Sequence, residues 1–203
     1  HYDGFIFLSK HASESGTLAL TCHSTGNFDI ASFGGNPKQI AIPHPNFQKT
    51  YLKNLSNNHE SFSDFQITIE DTHHGPTSLE KPCIFIEIGT TEKQWNDTKL
   101  CNSVSKVVLK TIENPIQNYP FAICFGGNHY SKKFSNELIN GKFALGTVVP
   151  KHALDFVDKL LFLHIMNRNN GAKAALLDWN GLGKNKQRII DFLTTTNLEI
   201  IKL

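Results

Sequence analysis

The sequence predicts an α/β domain with one mostly parallel or mixed central sheet that is flanked by helices. Short apolar runs recur along the chain and are continuous rather than alternating, which is typical of strands covered on both faces. Segments with helical spacing of apolar residues lie between these runs, and such alternation defines the α/β class. A chain of 203 residues buries enough surface to fold without disulfides or a structural metal. We therefore interpret residues 1–203 as a single domain.

The strand candidates differ in how many of their faces are apolar. Residues 66–70 alternate, which indicates a strand with one wetter face. Residues 148–149 and 198–201 are shorter candidates. The runs predicted to be buried on both faces are 5–8, 83–88, 121–125 and 174–177.

Helices are predicted between these strands. Thr91 and Gln94 have the spacing of a capping box, and apolar residues at helical spacing follow until Pro115 ends the segment. The other predicted helices are residues 152–167, 185–193 and the shorter 47–55.

Composition excludes several classes of protein. Hydrophobic residues are 39% and charged residues 19%, which excludes a disordered or collagenous chain. No apolar run approaches the roughly 20 residues that cross a bilayer, and the first residues lack the basic and apolar regions of a signal peptide. We therefore expect no signal peptide and a cytoplasmic protein without membrane contact. The chain begins at His1 rather than Met, so we expect that an N-terminal segment is missing. Widely spaced cysteines indicate buried, reduced thiols rather than a disulfide framework or a thiolate zinc site; they are Cys22, Cys83, Cys101 and Cys124.

Charge is distributed unevenly along the chain. Residues 128–203 carry 11 Lys and Arg against 6 Asp and Glu, whereas residues 1–127 carry 9 against 12. A basic C-terminal third is what an anionic partner would favour, but the charge distribution alone favours an ordinary solvated surface.

Two adjacent histidines follow the alternating strand. His73 and His74 precede Gly75-Pro76, and the proline holds the turn in an extended conformation. With Glu70 and Asp71 beside them, the imidazoles are candidates for metal ligands or for a general acid and base. The alternative is a loop with two exposed histidines.

A carboxylate interrupts the apolar strand over residues 83–88. Strand alternation places Glu87 on the same face as Cys83 and Phe85. A buried carboxylate is costly unless it is paired, protonated or bound to a metal. Alternatively, Glu87 lies near the strand end and reaches water or a lysine.

Small and polar residues follow the strand over residues 121–125. Gly126 and Gly127 permit close approach of a ligand to the backbone, His129 supplies a titratable group, and Tyr130 supplies a ring and a hydroxyl. Near the start of the chain, Lys10 is a candidate for binding a phosphate or carboxylate. The motifs of serine hydrolases, P-loop proteins and dinucleotide-binding Rossmann folds do not occur.

Taken together, these motifs resemble those of the archaeal and plant type of D-aminoacyl-tRNA deacylase. The resemblance covers nearly the whole chain in the family's order. The matching stretches are residues 7–13, 25–28, 33–35, 70–77, 85–89, 126–130 and 150–151. The chain departs from the family pattern at Asn128, where Gly is usual, at Ser131-Lys132, where Ala-Pro is usual, and at Thr147, where a histidine is usual. Family members also begin with an additional strand and helix.

The resemblance implies a fold similar to those of peptidyl-tRNA hydrolase and the purine nucleoside phosphorylases. It implies hydrolysis of the ester that links a D-amino acid to the tRNA acceptor end, dependence on zinc, and a protein that acts as a monomer. On this basis, the expected catalytic and zinc-binding residues are His73, His74, Glu87 and His129. The expected substrate-binding residues are Lys10, His11, Ser13, Asn27, Gly34, Gly35, Gly126, Gly127, Tyr130 and Lys151. Cations expected on the acceptor-stem phosphates are Lys132, Lys133, Lys151, Lys184, Lys186 and Arg188.

Two mechanisms remain open at this point. In one, zinc lowers the pKa of a bound water toward about 7. In the other, a histidine acts as base and backbone N–H groups near Gly126 and Gly127 stabilise the oxyanion. Selection for the D form is expected from a backbone wall at Gly34-Gly35 or Gly126-Gly127. The alternative functions are a hydrolase or phosphorylase of a small nucleoside or amino-acid derivative, and a non-catalytic RNA-binding protein.

Overall fold

The structure, a computed structural model, describes residues 3–13 and 16–203. The ten strands assigned there are β1 (Phe5–Ala12), β2 (Ala19–His23), β3 (Gly26–Asn27), β4 (Gln39–Ile40), β5 (Gln66–Ile69), β6 (Cys83–Thr90), β7 (Phe121–Gly127), β8 (Ala144–Pro150), β9 (Ala174–Leu177) and β10 (Glu199–Lys202). The six α-helices are α1 (Pro45–Asn57), α2 (Glu92–Trp95), α3 (Thr98–Glu113), α4 (Lys132–Asn140), α5 (Lys159–Arg168) and α6 (Lys186–Leu193). Short 3₁₀ helices span His59–Phe62, Lys151–Phe156 and Gly183–Asn185.

These strands form two four-stranded sheets and one two-stranded sheet. The first sheet has the order β1-β6-β2-β5 and is mixed, because β6 runs parallel to β1 and antiparallel to β2. The second has the order β10-β9-β7-β8 and is parallel throughout. The α/β class and the mostly parallel or mixed sheet are confirmed, although the sheet is divided into two parts.

Two hydrophobic cores explain most of the apolar runs in the sequence. The run over residues 5–8 is the exception, because β1 is only half-buried and Leu8 is exposed, whereas both faces were predicted to be covered. In β7, Ala122 and Cys124 pack into one core and Ile123 and Phe125 into the other, so this strand is covered on both faces as predicted. In β6, alternate residues such as Ile84 and Ile86 enter the first core. The opposite face of β6 carries Phe85 and Glu87 instead and forms part of the candidate site.

Two predicted helices are interrupted by a carboxylate that caps a new helix. Thr91 and Gln94 do form a capping box, but α2 ends at once, and Asp97 accepts hydrogen bonds from Lys99 N and Leu100 N to begin α3. In the predicted helix 152–167, Asp158 accepts from Leu161 N and begins α5 after a 3₁₀ turn. A side chain that bonds the backbone locally competes with helix continuation, which explains both breaks.

The two sheets are linked by hydrogen bonds beside the candidate site. Thr72 N donates to Val148 O at 2.9 Å, and Val148 N donates to Thr72 Oγ1 at 2.9 Å. The hydroxyls of Ser24 and Thr72 lie 2.7 Å apart. The loop that follows β5 is therefore fixed to both β2 and β8.

All four cysteines are free, as predicted, and three of them are buried. Among the described residues, no helix is both long and apolar enough to span a bilayer.

Candidate active site

One face of the first sheet carries a cluster of titratable side chains. His11 in β1, Glu87 in β6 and His23 in β2 share this face, because β6 pairs Gly89 with His11 and Phe85 with His23. The loops after β5 and β7 cover the face and add further ligand-type residues. The complete cluster is His11, His23, Glu70, Asp71, His73, His74, Glu87, His129 and Tyr130. The site thus lies on this face of the first sheet, beneath the loops that follow β5 and β7.

His11 is oriented by a carboxylate. Its Nδ1 lies 3.1 Å from Glu87 Oε2, and its Nε2 lies 2.7 Å from the hydroxyl of Tyr130. Because an ionised carboxylate only accepts, Nδ1 carries the proton and Nε2 is the acceptor for Tyr130. Burial raises the pKa of Tyr130, and the nearby Glu70 raises it further, so the phenol stays protonated and donates.

Glu70 lies at the centre of the cluster and is fully buried. Its carboxylate oxygens lie 3.2 Å from His11 Nδ1, 3.2 Å from His129 Nε2 and 3.6 Å from His73 Nε2, without hydrogen-bond geometry. Burial raises the pKa of Glu70, but the contact with His129 and the charges of the other imidazoles outweigh it and lower the value to about 2. Glu70 is therefore ionised at every physiological pH.

His129 lies between two carboxylates. Its Nδ1 donates to Asp71 Oδ1, and its Nε2 faces Glu70. Burial lowers the pKa of His129, but its hydrogen bond to Asp71 and its contact with Glu70 outweigh this effect and raise the pKa to about 10. His129 is therefore an imidazolium near neutral pH.

Three further imidazoles form a group with a common bonding pattern. The Nδ1 atoms of His23, His73 and His74 lie 3.0, 2.8 and 2.6 Å from the carbonyl oxygens of Ser24, Asp71 and Gly75. A carbonyl only accepts, so each Nδ1 donates its proton there, and each Nε2 is left as the possible ligand atom. One ring nitrogen of each histidine lies within 4.8 Å of one in each of the others.

This three-histidine group fits a zinc ion. Zinc is commonly held by imidazole nitrogens whose other ring nitrogen donates to a carbonyl or carboxylate. His23 Nε2 is buried and has no hydrogen-bond partner among the described residues, as expected of a ligand atom. Burial, followed by the charge of His23, lowers the pKa of His73 to about 4, so His73 is neutral as a ligand must be. Burial lowers the pKa of His23, but the nearby carboxylates of Glu87 and Glu70 outweigh this effect and raise it. A cation that binds His23 would therefore replace a proton on its imidazole.

The four predicted ligands do not form one group by themselves. His73 and His74 lie together, but with His23 as their third member. His73 also approaches His129 and Asp71, whereas Glu87 is grouped with His23 and Glu70. Glu70 and Asp71 were predicted only as neighbours of the histidine pair, and His23 was not predicted as a site residue.

The predicted substrate-binding residues are divided between the cluster and its surroundings. His11 and Tyr130 belong to the cluster, and Ser13 hydrogen-bonds Tyr130. Lys10 is exposed and lies 4.7 Å from the Trp95 ring, because strand alternation turns it away from His11. Lys151 is exposed.

Asn27, Gly34 and Gly35 shape the loop beside His74. Asn27 Nδ2 donates to Gly34 O at 2.9 Å and to Asn36 O at 3.2 Å. A Cβ on Gly75 would lie 2.4 Å from Gly35 N, so this loop packs directly on the turn that carries His74.

Gly126 and Gly127 are required by packing. Gly126 has a φ of +99°, and a Cβ there would lie 2.9 Å from Asp178 O. A Cβ on Gly127 would lie 2.7 Å from the Phe134 ring of α4. These contacts explain the glycine pair without a ligand.

Thr147, where the family pattern has a histidine, lies inside the protein and away from the cluster's contacts. Its backbone N donates to Asn169 Oδ1 at 2.9 Å, and its hydroxyl accepts from Asn169 Nδ2 at 2.7 Å. A fully buried residue with these bonds has a structural role.

Most cations predicted to contact tRNA already have partners. Lys133 bonds Asp178, and Lys184 bonds Asp155. Arg188 donates to Val157 O and Leu154 O, and Lys186 lies 5.0 Å from the Trp179 ring. Lys132, like Lys151, is exposed, and neither has an ion pair with another described residue.

The fold and this cluster define an α/β protein with a buried histidine and carboxylate centre suited to proton transfer and metal binding. Comparison with known proteins then identifies the family. A sequence model described as D-aminoacyl-tRNA deacylase matches residues 1–201, and the chain belongs to this family.

Relatives with known names agree with this assignment. The D-aminoacyl-tRNA deacylase of Cenarchaeum symbiosum is 56% identical over 200 residues, which cover 98% of this chain and 78% of the relative. The D-aminoacyl-tRNA deacylase of Methanocaldococcus jannaschii is 35% identical over 209 residues, which cover 97% of this chain and 81% of the relative. A crystal structure of a conserved protein of unknown function is 27% identical, with a TM-score of 0.93 over 99% of this chain and 71% of that one. The family and fold expected from the sequence are confirmed.

Proposed function

We propose that the chain hydrolyses the ester bond of D-aminoacyl-tRNA and releases the free D-amino acid and the tRNA. Membership of the deacylase family supports this activity over a hydrolase or phosphorylase of small molecules. The structural observation that carries the proposal is the buried cluster, in which one imidazole is oriented by a carboxylate and another is held protonated. An ester hydrolase needs one group that accepts a proton from water and one that donates a proton to the leaving oxygen.

His11 is suited to the first role. Glu87 fixes its tautomer and would stabilise the imidazolium that forms when Nε2 takes a proton from water. The water oxygen then adds to the ester carbonyl carbon while Nε2 holds the proton. Tyr130, which occupies this acceptor position in the free protein, marks where the water would lie.

His129 is suited to the second role. When the bond between the carbonyl carbon and the ribose oxygen breaks, that oxygen needs a proton. The imidazolium of His129 is held by Asp71 and Glu70 and is 43% exposed, so it can reach a bound substrate. Its raised pKa keeps the proton available throughout the neutral range.

His23, His73 and His74 are the residues that we propose to hold zinc. A zinc ion bound there would polarise the ester carbonyl or lower the pKa of a water. His11, Glu87 and His129 then remain free for proton transfer, which differs from the predicted set in which Glu87 and His129 were also ligands. Since one chain supplies every group of the cluster, we further propose that the protein acts as a monomer, in the cytoplasm where aminoacyl-tRNA is made.

Of the six cations predicted on the acceptor stem, Lys132 and Lys151 are exposed and have no ion pair with a described residue, and we propose that these two contact the phosphates. Neutralised phosphates release counterions, so tRNA affinity should fall linearly in log[salt]. An affinity that does not change with salt would argue against this surface.

The decisive experiment compares turnover of D- and L-aminoacyl-tRNA charged with the same amino acid. We expect rapid release of the D-amino acid and little release of the L form. Equal turnover of free D-amino-acid esters would support the small-molecule alternative. Binding of tRNA without any turnover would support the RNA-binding alternative.

A further inference from the structure

A cavity of about 330 Å³ opens beside His73 and His74. This volume falls within the roughly 300–1,000 Å³ of small-molecule sites. It lies between the loop after β3 and the 3₁₀ helix Lys151–Phe156. The residues that line it are Gly26, Asn27, Phe28, Asp29, Ile30, Ser32, Phe33, Thr72, His73, His74, His152, Ala153 and Phe156.

Large apolar side chains surround this cavity and remain open to solvent. Phe33 is 83% exposed, Ile30 is 71% exposed and Phe156 is 40% exposed. Single exposed apolar residues are ordinary, but three around one cavity that leads to a polar centre indicate a binding site.

The aromatic wall is fixed relative to the cluster. Phe33 O accepts a hydrogen bond from Gly75 N at 3.3 Å, on the turn that carries His74. Lys38 and Asp158 form an ion pair at 3.0 Å that joins the loop to the start of α5. The cavity is therefore formed before a ligand binds.

The side chains that line the cavity favour the terminal adenosine of tRNA, which is the same in every substrate, over the amino acid. Under the proposed function the amino-acid side chain is the part of the substrate that varies, and an aromatic wall would discriminate among side chains. Every tRNA instead ends in adenosine, whose base has two flat faces for stacking. Asp29 and Ser32 line the cavity, and neither side chain has a partner among the described residues. A carboxylate acceptor and a hydroxyl match the amino group and ring nitrogens of adenine.

We propose that this cavity binds the terminal adenine of tRNA, with Phe33 and Phe156 as its stacking surfaces and the aminoacyl ester directed toward the cluster. The proposal deepens the proposed function and rests on it for the identity of the substrate. Base stacking on an aromatic ring typically strengthens binding about 5- to 100-fold per base.

A binding experiment tests the site without reference to catalysis. Adenosine 5′-monophosphate and cytidine 5′-monophosphate are titrated by NMR into the wild type, Phe33→Ala and Leu109→Ala. Leu109 is a matched control, since it is 54% exposed on α3, outside the cavity. We expect the adenine nucleotide to bind more tightly to the wild type, at least five-fold weaker binding to Phe33→Ala, and no change in Leu109→Ala. Equal affinity of wild type and Phe33→Ala would overturn the proposal.

An activity experiment separates adenine from the amino-acid side chain as occupant. The substrates are the 3′ ester of adenosine and the methyl ester of the same D-amino acid. Phe33→Ala should lower kcat/KM for the adenosine ester only. An equal loss on both esters that grows with side-chain size would place the amino acid in the cavity and overturn the proposal. If the wild type hydrolyses no D-aminoacyl ester or D-aminoacyl-tRNA, the proposed function fails, while the nucleotide titration still decides whether the cavity binds adenine.

Discussion

His11 and Glu87 are 76 residues apart in the chain, yet the imidazole Nδ1 lies 3.1 Å from the carboxylate Oε2. They meet because β1 and β6 pair in parallel, with Ser9 directly beside Glu87. His11 lies two residues after Ser9 in β1, and its side chain therefore lies on the same face of the sheet as Glu87. Glu87 also lies 3.9 Å from His23, so one carboxylate orients the proposed base and contacts the proposed metal group. Burial raises the pKa of Glu87, but His11 and His23 outweigh it and keep the carboxyl ionised.

Replacing Glu87 tests this relationship. Glu87→Gln keeps the shape of the side chain but loses the charge that stabilises a His11 imidazolium. We expect kcat on D-aminoacyl-tRNA to fall about 100-fold or more with little change in KM, since general acid–base catalysis contributes about 10²- to 10⁴-fold. Steady-state kinetics measure the effect. Glu113→Gln, an exposed glutamate at the end of α3, is the control. Unchanged kcat in folded Glu87→Gln would rule out the proposed role of the His11–Glu87 pair.

If His23, His73 and His74 hold zinc, replacing one of them should lower the zinc content of the protein. Among the described residues, His23 has the one buried imidazole nitrogen that lacks a partner. His23→Gln removes it, so the purified variant should hold far less zinc than the wild type. Elemental analysis measures this directly. His44→Gln is the control, because His44 is partly buried but packs on Phe47 outside the cluster. A wild-type protein that contains no metal and keeps full activity would leave only the histidine-base mechanism.

The sequence predicts a strand well where a continuous apolar run is enough to define it. Continuous apolar runs predict β7 and β9, because strands between two cores need apolar side chains on both faces. The strand β2 was missed because its buried face mixes Thr21 and His23 with apolar residues, as a strand that lines a polar site must. Helix α4 was not predicted because its sequence is short and mostly polar. It is stabilised by burial of Phe134 and Leu138 in the first core. Such tertiary burial is not visible in local periodicity.

The candidate site was predictable only in part for a similar reason. His73, His74 and His129 follow recognisable strands, and local motifs identify them. His23 carries no local signal, because its significance depends on β2 pairing with β6 beside Glu87. The glycine motif carries an ambiguous signal, since Gly126 and Gly127 also meet packing demands of α4 and the loop after β9.

Lys49 provides a test of stability that is separate from catalysis. Its fully buried ammonium donates to Glu137 O, Leu138 O, Gly141 O and Phe143 O at 2.8–3.3 Å and thereby satisfies carbonyls at the end of α4. Burial lowers the pKa of Lys49 to about 8. Lys49→Met removes the shared donor of these carbonyls, of which, among the described residues, only Glu137 O keeps a bond, from Gly141 N, so we expect a loss of about 2–4 kcal/mol in the free energy of unfolding.

Urea unfolding measures this loss, and Lys53→Met is the matched control. Lys53 lies one turn further along α1, and its ammonium is 5.6 Å from the Tyr119 ring. The control should cost less than about 1 kcal/mol. Equal losses in the two variants would show that the carbonyl contacts of Lys49 contribute little.

The raised pKa of His129 predicts how stability depends on pH. Its folded pKa of about 10 exceeds the ordinary 6.5, so the folded state holds a proton that the unfolded state releases. This contribution is complete below about pH 6.5 and is lost as pH rises toward 10. His129 is 43% exposed, so solvent screening limits the effect to about 1 kcal/mol. Urea unfolding of metal-free protein at pH 6 and pH 9.5 should show a smaller decrease in His129→Gln than in the wild type. The same decrease in both proteins would contradict the assignment.

Selection for the D form is best tested at Gly34. The loop that contains Gly34 packs on the turn of His74, and we expect its backbone to form the wall that excludes an L side chain. Gly34 has a φ of +84°, and a Cβ there would meet no atom within 4 Å, so Ala adds bulk without a clash. Gly16 is a matched control, with a φ of +66° and equally open surroundings. Both substitutions should cost about 1 kcal/mol of stability from backbone strain. Only Gly34→Ala should change the ratio of kcat/KM for D- and L-aminoacyl-tRNA. If the two variants keep the wild-type ratio, the wall lies elsewhere in the site.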